Sequence, residues 1–281
     1  MKYLFVLLLN IISLLAFAQT GHYHEFKAGD QVKVFGDNVN IRATASTDAK
    51  VIVSLGIGQD VEVLLQTTEE FVLNGVTSNW YQIKFDHQGS SKEGFVWGGL
   101  LACYFLEGEN DTVFLYGMTK NSEDAAADTE MRVLQGGALV SKVSFHPVGW
   151  DGHYIHGKIE DNRGIGEIKN IIRASASVEA CGYENGDVIL FWDGETLRYV
   201  AHETGMGDGG VMGFSKEYIF PADDRHADLV FEQDSEKTYI VELKEEYEYD
   251  EIGNGRETKE TRVLEWVDYK LVRVRASWED D

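Results

Sequence analysis

Proline is nearly absent from this sequence, which has 2 prolines but 29 glycines among its 281 residues. Such a composition indicates few rigid linkers and many tight turns. Sustained helical periodicity is missing too, since only residues 165–172 show the apolar spacing of a short helix. With 26% charged and 43% apolar residues, the chain has the composition of an ordinary globular protein, which excludes wholesale disorder.

Basic residues are also in short supply. The chain has 25 lysines and arginines against 48 aspartates and glutamates, which gives a formal net charge of -23. A chain this acidic repels phosphate groups at long range, so nucleic acid and acidic lipid surfaces are disfavoured as partners. Basic ligands or cations are the partners that such a field attracts, although solubility alone also explains the charge.

Long apolar runs are lacking beyond the N-terminus. Lys2 precedes an apolar stretch from Tyr3 to Leu15, and Ala16-Phe17-Ala18 has the small-x-small pattern of a cleavage site. We therefore predict a signal peptide over residues 1–18 and an exported protein, periplasmic or secreted, with no membrane span after cleavage. The alternative is an uncleaved membrane anchor, for which the apolar run is short.

The two cysteines, Cys103 and Cys181, allow three interpretations. Outside the cytoplasm, a disulfide bridge between them is permitted. Both also lie in apolar, strand-like surroundings, where a free buried cysteine behaves as a small hydrophobic residue. A catalytic thiol is disfavoured because no histidine lies near either cysteine in the sequence.

Alternation of apolar and polar residues dominates residues 28–103, which we predict to be the first domain. Three such stretches are Val32–Val34, Val61–Leu65 and Tyr81–Phe85, and a period of two is typical of half-buried strands. Asn74-Gly75 predicts a two-residue hairpin, because both positions of that turn need a positive φ. Five or six short strands within about 75 residues cannot bury two faces as an open sheet, so we predict a small barrel.

An ordered series of motifs runs through the same region. Its members are Val39-Asn40-Ile41-Arg42, Val51-Ile52, Leu55 to Gly58, Trp80 to Ile83 and Gly94-Phe95-Val96. With this series, residues 30–101 resemble the bacterial SH3 (SH3b) family. The resemblance implies an SH3-like barrel that binds a cell-wall peptide or a protein partner and has no catalytic activity of its own. Two positions depart from the family pattern: Phe95 replaces a tryptophan, and Gly98-Gly99-Leu100 replaces a frequent tyrosine.

Four aromatic residues are candidates for a ligand-binding face on this barrel: Trp80, Trp97, Phe71 and Tyr81. Alternating aromatic side chains also fill barrel interiors, and we expect that role for Tyr81. Trp97 is the favoured contact residue, because the two glycines that follow it open space around the ring.

Four residues of the motif series are expected to have structural roles: Asn40, Arg42, Gly58 and Gly94. Asn40 and Arg42 are expected to fix a strand and the turn after it by hydrogen bonds, since asparagine readily bonds to local backbone. Direct contact with a ligand is the alternative for these two residues.

From residue 104 to residue 281 the pattern stays β, and the sequence favours hairpins. Three stretches share an apolar strand, a turn with Gly or Asp, and a second strand: Met131–Val140, Val188–Leu197 and Arg262–Leu271. Asn185-Gly186 and Gly253-Asn254-Gly255 predict two further hairpins. We predict one antiparallel β domain, with propeller-like blades as the alternative.

One histidine-rich stretch is a candidate metal site formed by His146, Asp151, His153 and His156. Imidazoles and a carboxylate are good zinc ligands, and a catalytic zinc takes three protein ligands. On a strand, positions 153 and 156 face opposite sides, so a turn would have to bring them together. The other interpretation is a set of histidines at the surface or at the edge of the core.

No cofactor is expected. The glycine-rich stretch Gly205–Gly210 lacks the Lys-Ser/Thr pair of a phosphate-binding loop, and no helix is predicted after it. It is therefore interpreted as a flexible turn.

These observations predict an all-β protein with an N-terminal SH3-like small barrel and a larger antiparallel β domain built of hairpins. The predicted function is that of an exported, non-catalytic envelope protein whose barrel binds a cell-wall peptide or an envelope protein. The alternative is a metal-dependent cell-wall peptide hydrolase that uses the histidine-rich stretch.

Overall fold

The structure is a computed structural model that describes residues 23–122, 125–148, 154–177, 181–230, 236–249 and 254–274. The predicted signal peptide lies outside these residues and stays a prediction. Within the described ranges, no helix is long and apolar enough to cross a membrane.

Six strands form the first sheet, which curls around a shared apolar interior and is called the barrel below. They are β1 (Gln31–Lys33), β2 (Val39–Arg42), β3 (Val51–Leu55), β4 (Asp60–Leu73), β5 (Val76–His87) and β6 (Ser90–Trp97). Neighbouring strands follow the order β1-β4-β5-β6-β2-β3, so β1 and β3 are the edge strands. A 3-10 turn at Gly98–Leu100 leads out of the barrel.

The rest of the described chain forms two antiparallel sheets in which consecutive strands pair. The smaller sheet contains β7 (Tyr104–Glu107), β8 (Thr112–Ser122), β9 (Ala125–Gln135) and β10 (Ala138–Phe145). The larger sheet contains β11 (Tyr154–Glu160), β12 (Asn170–Ser177), β13 (Asn185–Trp192), β14 (Leu197–Asp208), β15 (Met212–Ile219), β16 (Tyr239–Tyr249), β17 (Gly255–Val267) and β18 (Lys270–Arg273). One helical turn, α1 (His226–Leu229), lies between β15 and β16.

The two sheets pack face to face. Phe114 and Met131 of the smaller sheet share a buried cluster with Ile172 and Leu190 of the larger sheet. A second cluster, which includes Phe191 and other apolar residues of the larger sheet, is separate from it. The predicted all-β fold of barrel and hairpins is therefore confirmed, and continuous sheets replace the alternative of separate blades.

The three similar stretches in the second half each form a hairpin, as predicted: β9–β10, β13–β14 and β17–β18. The turn at Asn74-Gly75 is also confirmed, with φ values of 54° and 77° between β4 and β5. Both φ values are positive, in the left-handed region. Two-residue hairpin turns require such values, because the backbone twist of the turn then matches the right-handed twist of the two strands.

Two local predictions are wrong. Residues 165–169 form a loop and residues 170–172 begin β12, and Ile165, Ile168 and Ile171 are buried in the cluster of the larger sheet. Their helix-like spacing therefore serves the packing of a loop and of the first residues of a strand. Gly186 lies inside β13 and not in a turn. A side chain there would meet the backbone oxygen of Glu203 at 2.0 Å. This glycine permits a close approach of two strands.

The barrel is joined to the smaller sheet by a compact junction. Phe35, Leu115 and Leu134 form one buried cluster, with Ile57 partly buried against it. Arg132 donates from Nη1 to the backbone oxygen of Phe35 at 2.6 Å and lies over the Phe35 ring. The predicted domain boundary at residues 103/104 coincides with the start of β7, yet side chains on both sides of it share one core.

Candidate functional site

The aromatic face predicted on the barrel lies inside it. Trp80, Trp97 and Tyr81 are at most 6% exposed, and Phe71 is partly buried against the same cluster. The prediction that Trp97 is an exposed contact residue is wrong. A side chain at Gly99 would meet the Trp97 ring at 2.3 Å, so this glycine makes room for the ring to pack.

Hydrogen bonds explain why these rings are held inward. Trp97 Nε1 donates to the backbone oxygens of Phe71 at 2.9 Å and Ser78 at 3.0 Å. The Tyr81 hydroxyl accepts from the backbone nitrogen of Phe26 at 3.3 Å. Buried indole and phenol groups need such partners, and here the partners are the barrel's own backbone.

The four motif residues have the geometry of structural roles. Asn40 accepts a hydrogen bond from the Ser54 hydroxyl at 2.7 Å, which links β2 to β3. Arg42 donates to the backbone oxygen of Ala49 at 2.7 Å and so closes the turn between the same strands. A side chain at Gly58 would meet Leu134 at 2.3 Å, and one at Gly94 would meet Ile41 at 2.5 Å.

The strand β3 is the part of the barrel with an available apolar surface. Among the described residues it pairs with β2 alone, which leaves its second edge free. Val51 is 40% exposed and Ile52 is 44% exposed. A free edge with apolar side chains is a template on which another extended chain can pair.

Both cysteines are free, which excludes the disulfide among the three interpretations. Cys103 is buried between the barrel and the smaller sheet, and Cys181 is exposed. Burial raises the pKa of the Cys103 thiol to about 12, which removes its nucleophilic form at neutral pH.

The histidine-rich stretch is only partly within the described residues. His146 lies opposite Asp128 at the end of the β9–β10 hairpin, with 3.3 Å between its Nδ1 and a carboxylate oxygen. His156 is exposed on β11. Asp151 and His153 lie outside the described residues, so the four-residue metal site stays a prediction. In the parts of the chain that are described, no group of three or more His, Cys, Asp or Glu residues could hold a metal.

His146 and Asp128 also line a cleft of about 580 Å³ between the β9–β10 hairpin and β14. Its apolar wall consists of Phe145, Pro147 and Val148. Its polar wall consists of Asp128, Ser144, His146, Glu184, Tyr199 and His202. A cleft of this size with an apolar wall and a few converging polar groups is the usual form of a small-ligand site.

A β-bulge creates one side of this cleft. Ile189 of β13 pairs with Ala201 of β14, whereas the next residue, Leu190, pairs with Tyr199. The residue between them is therefore unpaired, and the bulge shifts the alternation of β14 by one position. Without it, Tyr199 and His202 would face opposite sides of the sheet. With it, the Tyr199 hydroxyl and His202 Nδ1 lie 3.0 Å apart.

The environment of His202 favours the neutral imidazole. Burial lowers the pKa of His202, and the nearby Lys216 lowers it further, whereas Glu184 and Glu242 oppose the shift. A neutral imidazole has one N–H donor and one acceptor nitrogen. His202 can therefore both accept from Tyr199 and donate to a bound molecule.

Four residues of the cleft could not be predicted from the sequence: Asp128, Glu184, Tyr199 and His202. Tyr199 and His202 are three positions apart on a strand, which predicts opposite faces, and the bulge that reverses this has no sequence signature. Asp128 meets His146 only through hairpin register, which no motif records. Comparison with family models, with curated proteins and with solved structures gives no match to this chain.

Proposed function

We propose that the protein is an exported, non-catalytic binding protein of the cell envelope, whose SH3b-like barrel binds a cell-wall peptide or a protein partner. The observation that carries this proposal is the free edge strand β3 with its exposed Val51 and Ile52. The motif series of the barrel supports the SH3b-like family, and the predicted signal peptide supports an exported protein.

Strand addition is the binding mode that this edge favours. An extended peptide that pairs with β3 would gain main-chain hydrogen bonds from the free backbone groups of the strand. Alternate side chains of the peptide would meet Val51 or Ile52 on opposite faces of the sheet. An aromatic groove is not part of the proposal, because Trp80, Trp97 and Tyr81 are buried.

The substitution Ile52→Lys tests this proposal. A lysine ammonium on β3 opposes burial of the edge, so the affinity for soluble peptides released from purified cell wall should fall by at least about tenfold. The matched control is Val72→Lys, because Val72 is 51% exposed on β4, near the Asn74-Gly75 turn and away from the free edge of β3.

Hydrogen exchange supplies the second readout. Addition of a strand should slow amide exchange in residues 51–55 when the peptide is bound. Binding that leaves exchange in β3 unchanged, or that both lysine variants weaken equally, contradicts the proposal. Stoichiometric zinc in the purified protein, together with wall-peptide hydrolysis that His153→Ala abolishes, would instead establish the metal-dependent hydrolase.

A further inference from the structure

The cleft beside β14 has no role in the proposed barrel function. Phe145 and Val148 are both less than 9% exposed and form a preorganised apolar surface. A volume of about 580 Å³ accommodates one amino-acid side chain with its flanking backbone, and it is far larger than a bound ion requires. The shape therefore selects an organic ligand with an apolar part.

The charges that line the cleft select the polar part of that ligand. Asp128 and Glu184 contribute two carboxylates, and the chain as a whole has a net charge of -23. Glu184 accepts a hydrogen bond from the neutral Thr204 hydroxyl, which orients the carboxylate, and Lys216 interacts with it electrostatically. Anionic ligands are repelled here, whereas a ligand ammonium gains charge-assisted hydrogen bonds.

The paired Tyr199 and His202 add a neutral donor. When the Tyr199 hydroxyl donates to Nδ1 across 3.0 Å, the proton of the neutral ring is on Nε2. That N–H is a donor for a ligand carbonyl. Lys216 influences both His202 and Glu184 electrostatically, so a ligand ammonium is disfavoured at the ring and favoured on the Asp128 side of the cleft.

From this arrangement we propose that the cleft is a second binding site, separate from β3, for a primary amine on an apolar chain. The lysine-type side chain of a peptide is the ligand that uses all of its features. Its methylene groups would contact Phe145 and Val148, and its ammonium would bind at Asp128 and Glu184. A neighbouring peptide carbonyl would accept from His202.

Titration with three probes, followed by NMR, tests the site. The probes are Nα-acetyl-lysine methylamide, its Nε-acetylated form, and n-hexylamine. The lysine derivative should bind saturably with shifts at His146 and His202, and acetylation of its amine should weaken binding by about tenfold or more. Preference for the lysine derivative over n-hexylamine supports a peptide ligand, and equal affinity supports the same site with a free alkylamine as its ligand.

Three substitutions complete the test. Asp128→Asn and Glu184→Gln should each weaken binding of the lysine derivative by about tenfold. Asp37→Asn is the matched control, because it removes one negative charge at an exposed position of the barrel. Circular dichroism and thermal unfolding establish that all three variants are folded.

Several results would overturn the proposal. They are absence of saturable binding by either amine, equal affinity for the acetylated probe, and an equal loss of affinity in Asp37→Asn. The last result would mean that the general acidic field attracts amines without a site. Ile52→Lys should leave this titration unchanged, so the amine site and the proposed barrel function succeed or fail separately.

Discussion

Arg173 is a largely buried cation of the larger sheet that contacts several carboxylates. Its side chain is 11% exposed and contacts carboxylates of three other strands: Glu160 at 3.3 Å, Asp187 at 3.5 Å and Glu203 at 2.5 Å. Burial raises the pKa of Glu160, but its contacts with Lys158 and Arg173 outweigh that effect and hold the pKa below its ordinary value. A buried cation that compensates several carboxylates is costly to remove, because the remaining charges lose their partner.

We therefore expect Arg173→Gln to lower the free energy of unfolding by about 3 kcal/mol near neutral pH. The native pKa of Glu160 is below its ordinary value of 4.5, so this carboxylate contributes stability at pH values above 4.5. That contribution is lost as the pH falls through the native pKa. The difference between wild type and variant should consequently shrink in acid.

Urea unfolding near pH 7 and near pH 3 measures the difference in free energy of unfolding between wild type and Arg173→Gln at each pH. Arg225→Gln is the control, because Arg225 forms an exposed pair with Glu217 and should leave stability nearly unchanged. A difference between wild type and Arg173→Gln that stays constant with pH would contradict the role assigned to the carboxylates.

At the scale of elements, the irregular segment before β1 is held firmly against the barrel by two buried aromatic side chains. Residues 23–27 precede β1 and have no strand assignment, yet Tyr23 and Phe26 are both at most 3% exposed. The Tyr23 hydroxyl donates to the backbone oxygen of Leu101 at 2.6 Å, and its backbone nitrogen donates to Thr77. This segment thus connects β5 to Leu101, which follows the last strand of the barrel.

Removal of the Tyr23 side chain should destabilise the barrel. We expect Tyr23→Ala to lower the free energy of unfolding by about 3 kcal/mol, because it removes a buried ring and its hydrogen bond. Glu25→Ala, at an exposed position in the same segment, should have a small effect. Chemical unfolding followed by tryptophan fluorescence compares the two, and equal effects would show that the segment does not anchor the barrel.

The sequence predicts those elements whose local chemistry agrees with their place in the fold. Asn74-Gly75 could be predicted because the turn itself requires positive φ, and period-two alternation identified the strands around it. The burial of Tyr23 could not be predicted from the sequence, because an irregular segment shows no periodic alternation of apolar and polar residues. The cleft was invisible because it depends on a bulge in β14 and on the register that sets His146 beside Asp128. Trp97 misled the prediction because a glycine beside a ring can make space for burial as well as for a ligand.

At the scale of the whole molecule, the barrel and the smaller sheet form one packed unit. The largest buried cluster includes Val34 and Trp97 of the barrel together with Phe114 and Met131 of the smaller sheet. A second junction places Leu134 of β9 against Gly58 of the barrel. Neither surface could be exposed to water without loss of apolar burial, so separation of the two parts is unfavourable.

This packing predicts that the barrel and the smaller sheet unfold together. Native-state hydrogen exchange in increasing urea should give the same free energy of opening for β5 of the barrel and β8 of the sheet. Leu134→Ala, which truncates a side chain that is 2% exposed, should lower both values by about 3 kcal/mol.

Leu139→Ala on β10 is the matched control, because that leucine is 44% exposed. If the substitution at Leu134 destabilised β8 and left β5 unchanged, the two parts would be energetically independent. Equal changes in both values would show that the barrel and the smaller sheet unfold as one cooperative unit.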